Sequence, residues 1–125
     1  MEKIDIIAEI GWNHMGDMDL AQKMIDSAAK NGANICKFQT WSENKLKRGP
    51  WDSDGRREIY KKAQLSEDDH VKLMSVCKEN NIEFLTSVFD ISSISMLKDI
   101  GLKSIKIPSH EIYNTALIKD ACEKF

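Results

Sequence analysis

Three stretches of this sequence run from apolar residues into polar ones that could take part in chemistry. The clearest runs from Lys106 to Glu111, where a cation, a hydroxyl and a carboxylate fall within six residues. The stretches Ile35 to Thr40 and Ile6 to His14 end in the same way. Parallel strands gather the side chains at their carboxyl ends along one edge of the sheet. The pattern therefore predicts an anion-binding, carbonyl-handling site in an α/β fold.

Two lysines and two serines are candidates for binding an anionic substrate. Lys37 and Lys106 follow different predicted strands, and each ammonium is a compact charge suited to a phosphate or carboxylate. Ser87 and Ser109 would add hydroxyl donors. Because Lys37 lies inside an otherwise apolar strand, we expect its ammonium to contact a specific partner.

Two glutamates, Glu9 and Glu111, are candidates for binding sugar hydroxyls or for general acid–base catalysis. Burial and a nearby lysine shift the pKa of a carboxyl group in opposite directions, so both protonation states stay open. Asp90 is expected to cap a helix rather than to catalyse. The other polar residues at these strand ends are Asn13, His14, Gln39, Thr40 and Thr86.

The elements that position these residues alternate along the chain. Apolar runs predict strands at Ile4–Ile10, Ile35–Thr40, Ile82–Ser87 and Ser104–Ile107. A helix with one apolar face follows each strand, and residues 41–65 form a long excursion with a short helix near its end. The order βαβαβαβα predicts right-handed crossovers and a parallel sheet with helices outside it.

Two α/β architectures have this order, an open doubly wound sheet and half of an eight-stranded barrel. Neither a GxGxxG nor a GxxxxGK[ST] motif follows any predicted strand. Polar groups end all four predicted strands, as in a barrel whose site draws residues from each strand. If the fold is a barrel, residues 1–125 form only half of it.

Bulk composition limits the classes of partner. The 125 residues are 42% hydrophobic and 30% charged, and the net charge of −2 predicts no nucleic-acid binding. No apolar run is as long as a membrane span, and Met1-Glu2-Lys3 leads into a strand rather than a signal peptide. We therefore expect a cytoplasmic protein with no membrane contact.

Smaller features have mostly structural interpretations. Between Glu43 and Lys62, seven basic and four acidic side chains give a net charge of +3, which favours a solvated loop over an anion patch. Three cysteines, Cys36, Cys77 and Cys122, lie in apolar patterns and are expected to be buried and reduced.

The spacing of the histidines does not match that of metal ligands. His70 is expected to be solvated, and His14 and His110 to form hydrogen bonds.

The ordered set of motifs resembles the sialic acid synthase family, which includes N-acetylneuraminate synthases and their legionaminic and pseudaminic acid relatives. The resemblance covers nearly all 125 residues. Its motifs are Glu9-Ile10-Gly11 with Asn13-His14 and Gly16, Lys37-Phe38-Gln39-Thr40, Phe89-Asp90, and Lys106-Ile107-x-Ser109-x-Glu111. The family often has Ala-Ser-Gly-Glu where this chain has Pro108-Ser109-His110-Glu111, so the chain differs at Pro108 and at His110, where glycine is common. The family often has Ser-Thr-Pro-Phe-Asp where this chain has Thr86-Ser87-Val88-Phe89-Asp90, so it also differs at Thr86, Ser87 and Val88.

The resemblance implies a transferase that condenses phosphoenolpyruvate with an N-acetylated hexose such as N-acetylmannosamine. The products would be phosphate and a nine-carbon 2-keto sugar acid. It also implies that residues 1–125 form the N-terminal half of a TIM (β/α)8 barrel, which an antifreeze-like domain follows in the family. It further implies a homodimer and a divalent metal ion, Mn²⁺ or Mg²⁺. The two metal-binding histidines and that domain are expected outside this chain, which ends directly after a fourth predicted helix and which we expect to be inactive alone.

The resemblance also implies roles for single residues. Lys37, Ser87, Lys106 and Ser109 match positions that hold phosphoenolpyruvate. Glu9 and Glu111 match positions that face the sugar and the reacting centre. Asn13 and Gln39 belong to the motifs and are expected to support substrate binding. This assignment agrees with the chemistry of the residues, since lysines and hydroxyls suit a trianion and carboxylates suit a polyol.

Two alternatives to an N-acetylneuraminate synthase remain open. The first is a related synthase that joins phosphoenolpyruvate to another sugar, such as a legionaminic or pseudaminic acid synthase. The second is a non-catalytic half-barrel that associates with itself, because a half-barrel exposes two sheet edges with unpaired backbone groups.

Overall fold

The computed structural model of the protein describes residues 4–125. In chain order the elements are β1 (Ile7–Gly11), α1 (Met18–Lys30), β2 (Ile35–Thr40), α2 (Arg56–Ala63), α3 (Glu67–Glu79), β3 (Glu83–Val88), α4 (Ile91–Asp99) and α5 (Thr115–Lys124). Short 3₁₀ turns occur at Glu43–Lys45, Pro50–Asp52 and Ser109–Glu111. The prediction for Met1-Glu2-Lys3 lies outside the described residues. Within residues 4–125, every helix is too short or too polar to span a bilayer.

The three strands form one sheet in the order β1-β2-β3, and both pairs are parallel. The register pairs Ile7 with Ile35 and Ile35 with Glu83. Beyond β3, Lys106 adds a fourth position through a parallel bridge with Ser87. The predicted succession of parallel βα units is therefore confirmed.

The fourth predicted strand, Ser104–Ile107, is reduced to that single bridge, so its predicted length is wrong. The N–H of Lys106 donates to the Thr86 carbonyl (2.9 Å), and the N–H of Val88 donates to the Lys106 carbonyl (3.1 Å). The next donor in a parallel ladder would be residue 108. Because Pro108 has no N–H, the ladder stops there.

The first strand also differs from its prediction, which was a strand from Ile4 to Ile10 buried on both faces. The side chains of Ile4, Ile6 and Ile7 are 84%, 57% and 49% exposed. The strand begins only at Ile7, where the neighbouring strand supplies Ile35 as a partner. In the described part of the chain, the core lies on one face of the sheet, and the other face is open.

Helices α1, α3, α4 and α5 pack on the face of the sheet formed by alternate strand residues such as Cys36, Phe38 and Phe84. Phe38 and Phe84 stack with their ring centroids 5.2 Å apart. The helix residues that bury themselves against this face are Ala21, Ile25, Leu73, Cys77, Ile94, Leu97, Leu117 and Ala121. Strand residues of the opposite parity therefore stand on the open face.

Side-chain caps start four of the helices. Asp17 accepts from the N–H of Leu20, and Ser66 forms a reciprocal capping box with Asp69. Asp90 accepts from the N–H of Ser93 (3.0 Å), which confirms that it is a helix cap. Asn114 caps α5.

Two of the three cysteines follow their prediction. Cys36 and Cys77 are buried side by side with free thiols, and the hydrogen bond between them holds the pKa of Cys77 far above its usual value. Cys122 is free but exposed, so its predicted burial is wrong. In α5 the buried positions are Leu117 and Ala121, and residue 122 points about 100° away from Ala121.

Candidate functional site

An ion pair joins the first two strands on the open face of the sheet. Glu9 and Lys37 are register partners, and Lys37 Nζ lies 2.5 Å from Glu9 Oε2. The Lys37 side chain is 17% exposed and that of Glu9 is 49% exposed. The prediction that the Lys37 ammonium contacts a specific partner is confirmed, and the two residues place opposite charges at one point of this face.

A second row of polar residues crosses the same face one step further along the strands. Gln39 on β2 pairs with Ser87 on β3, and Ser87 bridges to Lys106. Ser87 is buried, whereas Lys106 is exposed and has no acidic partner among residues 4–125. Four of the predicted substrate-binding residues therefore share one face with Glu9. They are Lys37, Gln39, Ser87 and Lys106.

The chain after the bridge forms the 3₁₀ turn Ser109–Glu111, which places Ser109 at the surface and buries Glu111. The Glu111 carboxylate, 4% exposed, accepts hydrogen bonds from Lys47 Nζ (3.1 and 3.2 Å) and from Asn114 Nδ2 (2.7 Å). Burial alone would raise the pKa of Glu111. The hydrogen bonds from Asn114 and Lys47, together with the positive charge of Lys47, hold that pKa below its ordinary value. Glu111 is therefore a buried, ionised acceptor.

Lys47 belongs to the loop of residues 41–55, whose cations turn toward carboxylates of the chain itself. Lys45 lies near Asp90 and bonds to Ser92, and Arg57, at the start of α2, binds Glu43 and Asp52 from the two 3₁₀ turns of the loop. Arg56 pairs with Asp54. Four of the seven bases between residues 43 and 62 therefore stabilise the loop, and this stretch is not an open anion patch.

The folded loop closes an aromatic cavity of about 220 Å³ beside Gln39 and Glu111. Its rings belong to Trp12, Trp41, Trp51, Tyr60, Phe89 and His110. Successive rings meet edge to face, with centroid distances of 5.9 Å for Trp12–Tyr60, Trp41–Tyr60 and Trp41–Phe89. The indole N–H of Trp41 donates to the Tyr60 carbonyl (3.1 Å), which fixes the central ring.

Sequence reasoning missed this cavity and the role of Lys47. The predicted site was built from strand ends, whereas most of the rings come from loops and from α2. One signal was present in the sequence. Trp41 and Trp51 lie in a loop that is otherwise strongly polar, where large apolar side chains have no reason to occur unless they pack on one another.

The turn after β1 uses its polar residues for local structure. Asn13 Nδ2 donates to the Ile10 carbonyl (2.9 Å), and Asn13 lines a shallow depression with Glu9 beside α1. His14 is fully buried and accepts from the N–H of Gly16 through Nδ1 (3.1 Å), so the proton of neutral His14 is on Nε2. Nε2 has no partner in the described part of the chain. His14 therefore forms the expected hydrogen bond, and a substrate contact by Asn13 stays a prediction.

His70 is fully buried, so the prediction that it is solvated is wrong. Its Nδ1 donates to the Ser66 carbonyl (2.6 Å), and its Nε2 accepts from the Thr40 hydroxyl (2.7 Å). The Thr40 oxygen also lies 2.7 Å from that of Thr86. Thr40 and Thr86 point into the helix-packed core because their parity is opposite to that of Gln39 and Ser87. Thr40 and Thr86 therefore belong to the hydrogen-bond network of the core and do not lie on the open face of the sheet.

The described residues do not fit a divalent metal ion. Between residues 4 and 125, no three His, Cys, Asp or Glu side chains cluster closely enough to hold one. The two candidate carboxylates already bind ammonium groups, Glu9 that of Lys37 and Glu111 that of Lys47. We therefore derive no step through a metal ion from this chain.

These features define a parallel β/α protein whose candidate ligand site lies at the carboxyl ends of its strands. Residues 24–125 match the model of the NeuB family, and the chain therefore belongs to the NeuB family. This match agrees with the motif resemblance on which the sialic acid synthase assignment rested.

Several known proteins similar to the chain are sugar-acid synthases. It is 38% identical to the N,N'-diacetyllegionaminic acid synthase of Campylobacter jejuni, over 95% of this chain and 39% of that protein. It is 33% identical to the N-acetylneuraminate-9-phosphate synthase of Drosophila melanogaster, over 97% of this chain and 35% of that protein. The chain thus spans less than two-fifths of the length of these relatives.

A solved structure shares the fold. The sialic acid synthetase of Leptospira borgpetersenii, in complex with citrate, superposes with a TM-score of 0.88 and is 33% identical. The superposition covers 98% of this chain and 42% of that chain. The predicted fold is therefore confirmed, in that this chain forms the N-terminal portion of a sialic acid synthase-type β/α barrel.

Proposed function

We propose that the protein acts in the condensation of phosphoenolpyruvate with an N-acetylated hexose, which yields a nine-carbon 2-keto sugar acid and phosphate. The observation that supports this most directly is the polar row Gln39, Ser87 and Lys106 beside the Glu9–Lys37 pair. It offers two ammonium groups, a hydroxyl and an amide on a face that the core leaves open. Membership of the NeuB family and the similarity to known synthases support the same proposal.

In this proposal Lys37, Ser87, Lys106 and Ser109 hold the phosphate and carboxylate of phosphoenolpyruvate. Lys106 is the more available cation, because Lys37 is neutralised by Glu9. A trianionic substrate supplies more negative charge than one ammonium can balance, so its binding would draw Lys37 away from Glu9. That exchange would release the Glu9 carboxylate beside the bound substrate.

The reaction joins C3 of phosphoenolpyruvate to the aldehyde carbon of the sugar, while the aldehyde oxygen takes up a proton. Water adds to C2 and gives one proton to a base. The C2–O bond to phosphate then breaks, and the new C2 hydroxyl loses the second proton of the water as the C2 ketone forms. One of these protons balances the proton taken up by the aldehyde oxygen, and the other goes to the released phosphate. In our proposal Glu9 and Glu111 lie beside the sugar and act as general acid and base in these proton transfers. A divalent metal ion, Mn²⁺ or Mg²⁺, and a homodimer are part of the proposal, with metal ligands outside this chain.

The test uses the protein produced from its complete gene. We expect phosphate release from phosphoenolpyruvate when N-acetylmannosamine is added, and a product with the mass of the condensed 2-keto acid. Lys106→Ala should abolish most of this release, whereas Lys103→Ala, an exposed lysine three residues earlier, should not. If no aldose in a broad panel supports phosphate release, the proposed function is wrong.

The same assay also tests a second acceptor sugar. The chain is 38% identical to an N,N'-diacetyllegionaminic acid synthase and 33% identical to an N-acetylneuraminate-9-phosphate synthase. A diacetamido hexose is therefore the alternative acceptor, and comparing its rate of phosphate release with that of N-acetylmannosamine decides between the two sugars.

A further inference from the structure

The Glu111 carboxylate has two hydrogen-bond donors of different kinds. Asn114 Nδ2 donates to Oε2 (2.7 Å), and Lys47 Nζ donates to Oε1 (3.1 Å) and to Oε2 (3.2 Å). The Lys47 side chain is 70% exposed and belongs to a loop, whereas Asn114 is half-buried at the start of α5. An exposed lysine holds its partner weakly, because its long side chain keeps many rotamers and water screens its charge. Asn114 is therefore the donor with the more fixed position.

The side-chain amide of Asn114 is used at both ends. Its Oδ1 accepts from the N–H of Leu117 (3.2 Å) and caps α5, and this contact identifies which amide atom is the oxygen. Nδ2 is consequently the atom that faces Glu111. The backbone N–H of Asn114 also donates to the Glu111 carbonyl (2.9 Å), which closes the turn between the two residues. Side chain and backbone together hold Asn114 against Glu111.

The helix that carries Asn114 is anchored in the core. Leu117 and Ala121 of α5 are buried in the core cluster, and α5 packs against α4. A functional side chain held by a packed helix keeps its geometry better than one held by a loop. Asn114 therefore ties the Glu111 carboxylate to a rigid element of the fold.

The cavity side of Glu111 is left to Lys47 or to a ligand. Glu111 lines the aromatic cavity together with Gln39 and Lys47, and Asn114 lies outside that lining. The charged or titratable groups that face the carboxylate are Lys47 and His110, whose Nε2 lies 3.8 Å from Oε1. Burial raises the pKa of Glu111, and the hydrogen bond from Asn114 is the largest of the effects that lower it. A ligand that displaced Lys47 would leave this bond intact.

We propose that Asn114 is a positioning residue for the condensation, which holds the Glu111 carboxylate ionised and in one orientation while Lys47 gives way to substrate. A carboxylate held in this way is ready to accept a proton, whereas a protonated or rotated one is not. The inference rests on the proposed function, in which Glu111 takes part in the proton transfers. It adds a residue that acts through Glu111 from the helix side of the site.

The experiment separates the two tasks of Asn114 in the protein produced from its complete gene. Asn114→Ser keeps an oxygen that caps α5 but removes the amide donor, so the free energy of unfolding should change little. The pKa of Glu111, measured by NMR titration, should rise. The kcat for phosphate release with N-acetylmannosamine should fall about ten- to hundredfold, and the acid limb of its pH profile should move to higher pH. The affinity for phosphoenolpyruvate should stay unchanged.

Two further variants complete the test. Asn114→Asp keeps the cap and the shape but places a second carboxylate beside Glu111, so the pKa of Glu111 should rise further than in Asn114→Ser. Asp17→Ala is the control for the loss of a cap, because Asp17 caps α1 and does not bond to Glu111. It should lower the free energy of unfolding without moving the pKa of Glu111 or the pH profile.

Each remaining outcome counts against one claim. An unchanged pKa of Glu111 in both Asn114 variants, or a fall in kcat without a change in the pH profile, would overturn the inference and leave Asn114 as a helix cap. Unaltered phosphate release despite a raised pKa would overturn it too, with the proposed function standing. If no aldose supports phosphate release by the unaltered protein, the proposed function is wrong, and the positioning role in that reaction is overturned with it. The pKa of Glu111 then still shows whether Asn114 holds this carboxylate ionised.

Discussion

The ammonium of Lys47 lies 3.1 Å from Oε1 of Glu111, across 64 residues of sequence. This ion pair joins the loop after β2 to the turn after the last bridge of the sheet. It makes the loop, the aromatic cavity and the candidate carboxylate one structural unit. A sugar hydroxyl or amide that binds Glu111 would compete with Lys47 for the same oxygens.

Replacing Lys47 tests this unit. Lys47→Gln removes a charge-assisted bond, so the pKa of Glu111 should rise toward its ordinary value, because burial is then opposed mainly by Asn114. Lys47→Arg keeps the charge and should hold the pKa low. The Lys47 side chain is 70% exposed, so the free energy of unfolding should fall by less than about 1 kcal/mol. An NMR titration of Glu111 that is identical in the unaltered protein and Lys47→Gln would contradict the contact.

Replacing Glu9 is expected to change phosphoenolpyruvate binding and the rate of phosphate release in opposite directions. Glu9→Gln removes the charge that neutralises Lys37, so phosphoenolpyruvate should bind about two- to fivefold more tightly. The rate of phosphate release should fall steeply, since Glu9 is proposed to act in catalysis. Titration calorimetry and a steady-state assay on the same preparation measure both. Weaker binding in Glu9→Gln would show that Glu9 does not compete for the lysine.

Gly16 provides a stability prediction. Its φ is +82°, and a Cβ atom there would lie 2.1 Å from the carbonyl oxygen of Lys62 on α2. Gly16→Ala should therefore lower the free energy of unfolding by about 2 kcal/mol or more, through both backbone strain and the collision. Gly101→Ala is the matched control, because Gly101 has a φ of +89° but open space around it. Equal losses by chemical denaturation would mean that the contact with Lys62 contributes nothing.

Two buried histidines predict a loss of stability in mild acid. Burial lowers the pKa of His14 and of His70, only partly offset by Asp69 near His14 and by the Ser66 carbonyl at His70. Below the unfolded pKa of about 6.5, the unfolded chain takes up protons that the folded chain does not. Stability is therefore fully present above about pH 6.5 and falls as the pH drops toward the lowered folded values.

The variant His70→Gln isolates one of these two contributions. It removes one ionisation, so its free energy of unfolding should change less between about pH 7.5 and about pH 5.5 than that of the unaltered protein. Urea titrations at the two pH values measure the difference. An equal or greater change in His70→Gln would show that His70 does not contribute to the acid sensitivity.

The fold was predictable from the sequence where side-chain pattern alone decides it. Ile35–Thr40 forms the strand with its predicted bounds, and Asp90 caps α4 as expected. The length of the fourth strand was not predictable, because it depends on ladder hydrogen bonds that Pro108 interrupts. The burial of His70 also escaped prediction, since its neighbours Thr40 and Thr86 come from distant strands.

Part of the candidate site was also predictable, because side chains alternate between the two faces of a strand. Strand parity follows from spacing, so Lys37, Gln39, Ser87 and Lys106 share a face as the strand-end argument required. The aromatic cavity and the Lys47–Glu111 pair arise from the path of the loop at residues 41–55. No periodicity describes that path, because its turns are fixed by individual contacts such as those of Arg57 with Glu43 and Asp52.

The most direct test of the central claim is the affinity of the protein, produced from its complete gene, for phosphoenolpyruvate. Lys37→Ala and Lys106→Ala should each weaken binding by on the order of 2–4 kcal/mol, as expected when a charge-assisted contact is lost. Lys103→Ala, exposed on the same segment as Lys106, should bind as the unaltered protein does. Unchanged affinity in both Lys37→Ala and Lys106→Ala would contradict the assignment of the open face as the phosphoenolpyruvate site.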